Sequence, residues 1–189
     1  MASEPKLRLS IPDYLALERQ SDIKSEYLDG EMIAMTGASR SHNRIALNVA
    51  TSLDGQVKPR GCEVFVSDMR VQTGDGLLTY PDVAVVCGSA QFSDSELDTL
   101  LNPTLLVEVL SPSTENYDRG VKFTRYRTIP SLREYLLIEQ KRAHLERFLR
   151  QDGDWLLHET DDPEDVLELP SIGCRLALTD IYDRVLFDL

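Results

Sequence analysis

The run LLVEVL at 105–110 sets a carboxylate, Glu108, inside an otherwise apolar strand. Burying a lone carboxylate is costly unless a cation, a proton or a hydrogen-bond network compensates. Any fold for this chain must therefore bring a partner to Glu108. A second apolar run, VAVVC at 83–87, opens on Pro81-Asp82 and reads as another buried strand. The tyrosine-rich segment NYDRGVKFTRYRTIPS, from 116 to 131, reads as a helix that presents Lys122 and ends at Pro130. Two carboxylates converging from neighbouring strands repel until a proton or a divalent ion relieves them. Asp82, Glu108 and Lys122 thus form the charge pattern of a divalent-metal site for phosphodiester hydrolysis. Mg²⁺ or Mn²⁺ prefers such oxygen ligands.

The remaining elements follow from local signals. Ser10 before Ile11-Pro12 starts a short helix ending near Gln20. Asp29-Gly30 turns a hairpin spanning Lys24 to Thr36, whose first strand carries Glu26. Ile45, Val49, Leu53 and Val57 recur every four residues and form one apolar stripe on a long helix from about Ser39 to Lys58, stopped by Pro59 and Gly61. Strands are expected at Cys62–Ser67 and Met69–Thr73. Residues 88–104 read as a polar surface connection with one helical turn. Glu134–Glu139 is the next strand, and Asp152-Gly153 turns a second hairpin. The Glu108 strand, the Lys122 helix and the Glu134 strand make a right-handed βαβ crossover. The expected fold is α/β (α+β), with a mixed central β-sheet flanked by helices, in a single domain over 1–189.

A net charge of −12 argues against coating nucleic acid by charge alone. The sign varies along the chain, however. Residues 117–150 are net basic between acidic flanks, so Arg119, Arg125, Arg127 and Arg133 are expected to form a basic rim beside the acidic site. No apolar run approaches the roughly 20 residues of a membrane span, and the first ten residues lack the apolar stretch of a signal peptide. Cys62, Cys87 and Cys174 are far apart with no CxxC pair, so reduced thiols and a cytoplasmic setting are expected. No G-x-S-x-G elbow is present, and His42, His144 and His158 show no ligand spacing.

The text YPDVAVVC … LLVEVLSPSTENYDRGVKFTRYRTIPSLREYLLI resembles the Uma-two family of the PD-(D/E)XK restriction-endonuclease-like superfamily. EYLDGEMIAMTGAS and Ser41-His42 belong to the same resemblance, which covers roughly residues 10–150. It implies an αβββαβ restriction-endonuclease-like core, here with an added C-terminal β-hairpin, acting as a DNA endonuclease dependent on Mg²⁺ or Mn²⁺. Asp82 matches the first metal ligand and Glu108 the second, with the Val109 carbonyl as a third. The usual lysine position, two beyond Glu108, is Leu110, and the resemblance moves the lysine to Lys122 on the next helix. Glu26 matches an additional acidic position. His42 reads either as a capping or packing residue or as a catalytic one. Tyr126 and Asp118 stand one turn from Lys122 on either side, able to orient its ammonium or pair with it. A homodimer is expected, with Phe148, Leu149 and Trp155 of the hairpin as its apolar contact. The alternative is a nuclease-fold module that binds nucleic acid or a partner protein without cutting.

Overall fold

The computed structural model describes residues 8–187. Ser10 caps α1 (Ile11–Glu18) by accepting from the Asp13 N–H. β1 (Ser25–Leu28) and β2 (Glu31–Ala34) form the expected hairpin, with Asp29 and Gly30 both at positive φ, the backbone a tight two-residue turn needs. In α2 (Arg40–Val57), Ile45, Val49, Leu53 and Val57 are all fully buried. Each contributes about 1.5–3 kcal/mol of apolar burial. The helix ends through a tight turn at Lys58–Arg60, and Gly61 at φ 70° takes the left-handed position.

Next come β3 (Cys62–Val66), β4 (Arg70–Gln72), β5 (Leu78–Thr79), β6 (Val83–Cys87), β7 (Thr99–Leu100) and β8 (Leu105–Leu110). A helical segment at 115–126 leads to β9 (Glu134–Glu139), followed by β10 (Leu145–Gln151), β11 (Asp154–Thr160), β12 (Val166–Leu169), β13 (Cys174–Ala177) and a helical turn, Leu178–Ile181. The central sheet has the order β11-β10-β9-β8-β6-β3, and within it only β8 and β9 run parallel. The helix at 115–126 joins that parallel pair, as a crossover must. A smaller sheet, β2-β1-β5-β4-β7, stands beside it, and β12 pairs with β13. The architecture is mixed α+β, with mixed sheets flanked by helices.

Alternation along the central strands builds two cores. Val83, Val85, Leu105, Val107 and Val109 face α2, together with Leu167 and Leu176 of the last hairpin. Ala84, Val86, Leu106 and Leu110 face the opposite way, onto Phe123, Tyr126 and Leu132. Glu108 shares this second face, which fixes where its partner must come from.

Several expectations are corrected. Residues 88–104 contain a buried strand, β7, parallel to β4, because Thr99 and Leu100 are both fully buried. Cys62 and Cys87 are not separate thiols: the antiparallel β3–β6 register places them opposite one another, and they form a disulfide. The cysteines therefore give no argument for a reducing compartment. Phe148 and Trp155, expected at a dimer contact, pack on Phe123 with ring centroids 4.5 and 5.3 Å away and so belong to the second core. Among the described residues no helix is long and apolar enough to cross a membrane. Replacing both Cys62 and Cys87 by alanine should lower unfolding stability by about 2–4 kcal/mol, through the lost constraint on the unfolded chain. Urea denaturation of the variant beside the oxidised wild type checks this.

Candidate active site

The β6–β8 register pairs Val83 with Val107, and one further step sets Asp82 beside Glu108. Pro81 and Asp82 lie just before β6. There the Asp82 carboxylate replaces a main-chain partner, its Oδ2 accepting from the Val109 N–H at 2.7 Å. The Asp82 carbonyl accepts from the Ser67 N–H at 3.1 Å, so both ends of the residue are held by strand edges. His42 approaches the same Oδ2, its Nε2 3.2 Å away. Ser39 fixes that histidine by accepting from the His42 N–H as the N-cap of α2.

Lys122 arrives from the helix at 115–126, whose middle, Asp118–Lys122, is a π-helical turn. The wider turn brings Asp118 and Lys122 to the same inner side, and both are buried, while Val121 is left exposed. Single π turns of this kind recur at functional sites. The ammonium Nζ lies 2.9 Å from Glu108 Oε1, 3.2 Å from Glu26 Oε1 and 3.5 Å from Asp118 Oδ1. The Tyr117 ring lies beneath it, 5.8 Å from Nζ to the ring centroid. Tyr126 Oη donates to Glu108 Oε1 at 2.8 Å, and Thr79 Oγ1 donates to Glu26 Oε1. Leu110, two beyond Glu108, is buried in the second core, so the strand position is used for packing and the cation comes from the helix instead.

Electrostatics sets these groups apart. Burial alone would push Lys122 down, but Glu108, Glu26 and Asp118 outweigh it and hold the ammonium well above the ordinary lysine range. Burial pushes Glu108 well above the ordinary carboxylate range; Lys122 opposes this, while Asp118 and Asp82 add to it. Glu26 is also pushed up by burial, yet Lys122 and Thr79 prevail and its carboxyl lies below the usual value. Asp118 is raised, chiefly by burial. One ammonium thus serves three carboxylates, Glu108, Glu26 and Asp118, and leaves Glu108 as the group that most favours a proton. An all-oxygen donor set with surplus negative charge is the chemistry that a hard divalent cation requires. Asp82, Glu108 and their surroundings fit such an ion.

The structure brings together Asp82, Glu108, Lys122 and Glu26, all named from the sequence, and places Val109 against Asp82 through its N–H. Tyr126, read from the sequence as a packing residue or one that orients the ammonium, packs in the second core, and its hydroxyl bonds Glu108 rather than the ammonium. The site contact of His42 and the role of Thr79 were not legible in the sequence, although the Ser39 cap three residues before His42 is a signal for its placement. The basic rim is largely spent internally. Arg119 pairs with Glu115, Glu139 and Glu146, Arg125 pairs with Asp29 and Asp75, and Arg127 stacks on Phe123. If His42 orients Asp82, His42→Asn should leave unfolding stability within about 1 kcal/mol while weakening Mn²⁺ binding roughly 10–100-fold, the usual effect of removing a partner that orients a carboxylate ligand. Parallel urea melts and Mn²⁺ titrations check both halves.

Comparison with known proteins bears on the family and the fold. A family model, Uma2, described as "Putative restriction endonuclease", matches residues 11–179. A Synechocystis protein named "Uncharacterized protein slr1290" is 37% identical over 187 residues, covering 98% of this chain and 97% of the relative. A second from the same organism, "Uncharacterized protein sll1609", is 41% identical over 153 residues, 80% of this chain and 86% of the relative. In structure the chain is similar to a crystallised Anabaena variabilis protein titled "a putative nuclease belonging to DUF820". The TM-score is 0.76 at 21% identity, covering 94% of this chain and 99% of the other, and this likeness speaks for the fold alone.

Proposed function

The chain belongs to the Uma2 restriction-endonuclease family, and on that footing we propose that it is a divalent-metal-dependent endonuclease that hydrolyses DNA phosphodiester bonds. One observation carries this reading: Glu108, buried in an apolar strand, shares its cation with Glu26 and Asp118 and lies beside Asp82. Asp82, Glu108 and the Val109 carbonyl are the ligands assigned to Mg²⁺ or Mn²⁺. When bound, such an ion supplies a Lewis acid to the scissile phosphate.

The protein's own groups do the positioning. His42 and the Val109 N–H hold Asp82, while Tyr126 and Lys122 hold Glu108. Lys122 supplies fixed positive charge where the phosphate gains negative charge, and Glu26 keeps that ammonium inside the site. Burial excludes bulk water, which strengthens each of these interactions.

A second reading, a nuclease-fold module that binds without cutting, is favoured by the internal pairing of Arg119 and Arg125 together with the net charge of −12. Isothermal titration with Mn²⁺ separates the two. The enzyme reading expects Mn²⁺ binding that disappears in Asp82→Ala/Glu108→Ala. No metal binding, with nucleic acid or a partner protein still bound, would select the module. A homodimer remains part of the proposal, with the free edge strand β11 and its half-exposed Leu156 and Leu157 as the contact. A sedimentation mass near 21.4 kDa would reject it.

A further inference from the structure

A second group of titratable side chains lies outside the site described above, at the β9–β10 turn. Glu139 ends β9, His144 precedes β10, Glu146 follows within it, and Glu159 is the β11 register partner of Glu146. The backbone is held firmly there. The Glu139 N–H donates to the His144 carbonyl at 3.0 Å. Tyr182 Oη accepts from the His144 N–H and donates to the Glu139 and His144 carbonyls, at 2.9–3.0 Å. The ligand atoms of Glu139, His144 and Glu146 all lie within 4.8 Å of one another.

The spacing of the imidazole carries the argument. His144 Nε2 lies 3.5 Å from Glu146 Oε1, 3.8 Å from Glu159 Oε1 and 3.9 Å from Glu139 Oε1. None of these is a good hydrogen bond, for which about 2.7–3.2 Å is needed. The Glu146 separation is close to the edge of a coordination tetrahedron, about 3.3 Å for ligands about 2.0–2.1 Å from a central ion, and Glu159 and Glu139 need only a short inward movement to complete it. The cations already facing the cluster are Arg119, paired with Glu146 and Glu139 and also with Glu115, and Arg142, which donates to both oxygens of Glu139. The carboxylates outnumber them.

We infer that Glu139, His144 and Glu146, with the half-exposed Glu159 as the fourth ligand, form a binding site for a transition-metal ion of the Zn²⁺ class, in competition with the guanidinium groups of Arg119 and Arg142. Mixed imidazole and carboxylate donors select such an ion over Mg²⁺, in contrast to the all-oxygen site at Asp82 and Glu108. The ion would fasten β9, β10 and β11 together.

The test is Zn²⁺ titration of the full chain against a chromophoric chelator, with ¹⁵N spectra of the ring nitrogens of His42, His144 and His158. One Zn²⁺ per chain should persist in Asp82→Asn/Glu108→Gln. Affinity should fall at least tenfold in His144→Gln and rise in Arg119→Gln, where one competing cation is gone. In the wild type, Zn²⁺ should shift the His144 ring resonances, a readout independent of how any variant folds. Zn²⁺ binding unchanged by His144→Gln, or His144 ring resonances that stay in place at saturating Zn²⁺, would overturn the assignment.

Discussion

Lys122→Met should destabilise the metal-free protein by about 3–5 kcal/mol, the usual consequence of removing one partner from a buried ion pair. Methionine fills the volume but leaves Glu26, Glu108 and Asp118 with no cation within reach. The pH dependence follows from the signs. In the wild type the Lys122 value is raised, so its stabilising contribution is fully present below the unfolded lysine pKa of about 10.4 and is lost as pH rises through the folded value. Glu26 is lowered, so its contribution is present above about pH 4.3 and is lost as pH falls through the folded value. In the variant all three carboxyls become raised groups, which destabilise above their unfolded values and cease to do so once protonated in both states. The deficit of Lys122→Met should therefore be largest near pH 7–8 and shrink toward about pH 4. Urea denaturation across that range measures it. A deficit below about 1 kcal/mol that does not change with pH would mean that the carboxylates do not depend on Lys122.

The second large effect concerns chemistry. Asp82→Asn retains an amide oxygen able to accept from the Val109 N–H, so the fold should survive with a change within about 1 kcal/mol. Cleavage should nevertheless fall roughly 10²–10³-fold, because a charged metal ligand becomes neutral. Glu108→Gln should lose activity similarly but differ in stability. Its carboxyl is raised, so in the wild type it destabilises above an unfolded value of about 4.3. The glutamine variant should melt higher than the metal-free wild type at pH 7, and the gain should vanish below about pH 4. Thermal scans at two pH values, with nicking rates at one, separate the two carboxylates.

The parts of this site that were legible in the sequence are those whose chemistry conflicts with their surroundings. An acid in LLVEVL announces itself, and Pro81-Asp82 before VAVVC marks the neighbouring strand. The lysine was within reach through the family resemblance, which moves it from the position held by Leu110 to Lys122 on the next helix, where Arg119 and Arg125 also stand. Features that depend on pairing were not accessible. The Cys62–Cys87 bond exists because of the β3–β6 register, which the spacing of 25 residues does not reveal. The π turn at Asp118–Lys122 has no signature in its composition. Arg119 and Arg125 looked like a rim because counting charge along the chain ignores the carboxylates that folding brings to them. His42 stands on the first turn of a helix, and only the packing of α2 against the sheet reveals Asp82 as its partner.

The proposed metal-dependent centre for DNA cleavage rests on the carboxylates of Asp82 and Glu108. Nicking of supercoiled plasmid at low salt probes it, with wild type, Asp82→Asn and Glu108→Gln compared in Mn²⁺, in Mg²⁺ and in chelator. The wild type should nick only with a divalent ion, and both variants should lose roughly 10²-fold or more. DNA left intact by the wild type with either ion, or cut equally well by the folded variants, would contradict it.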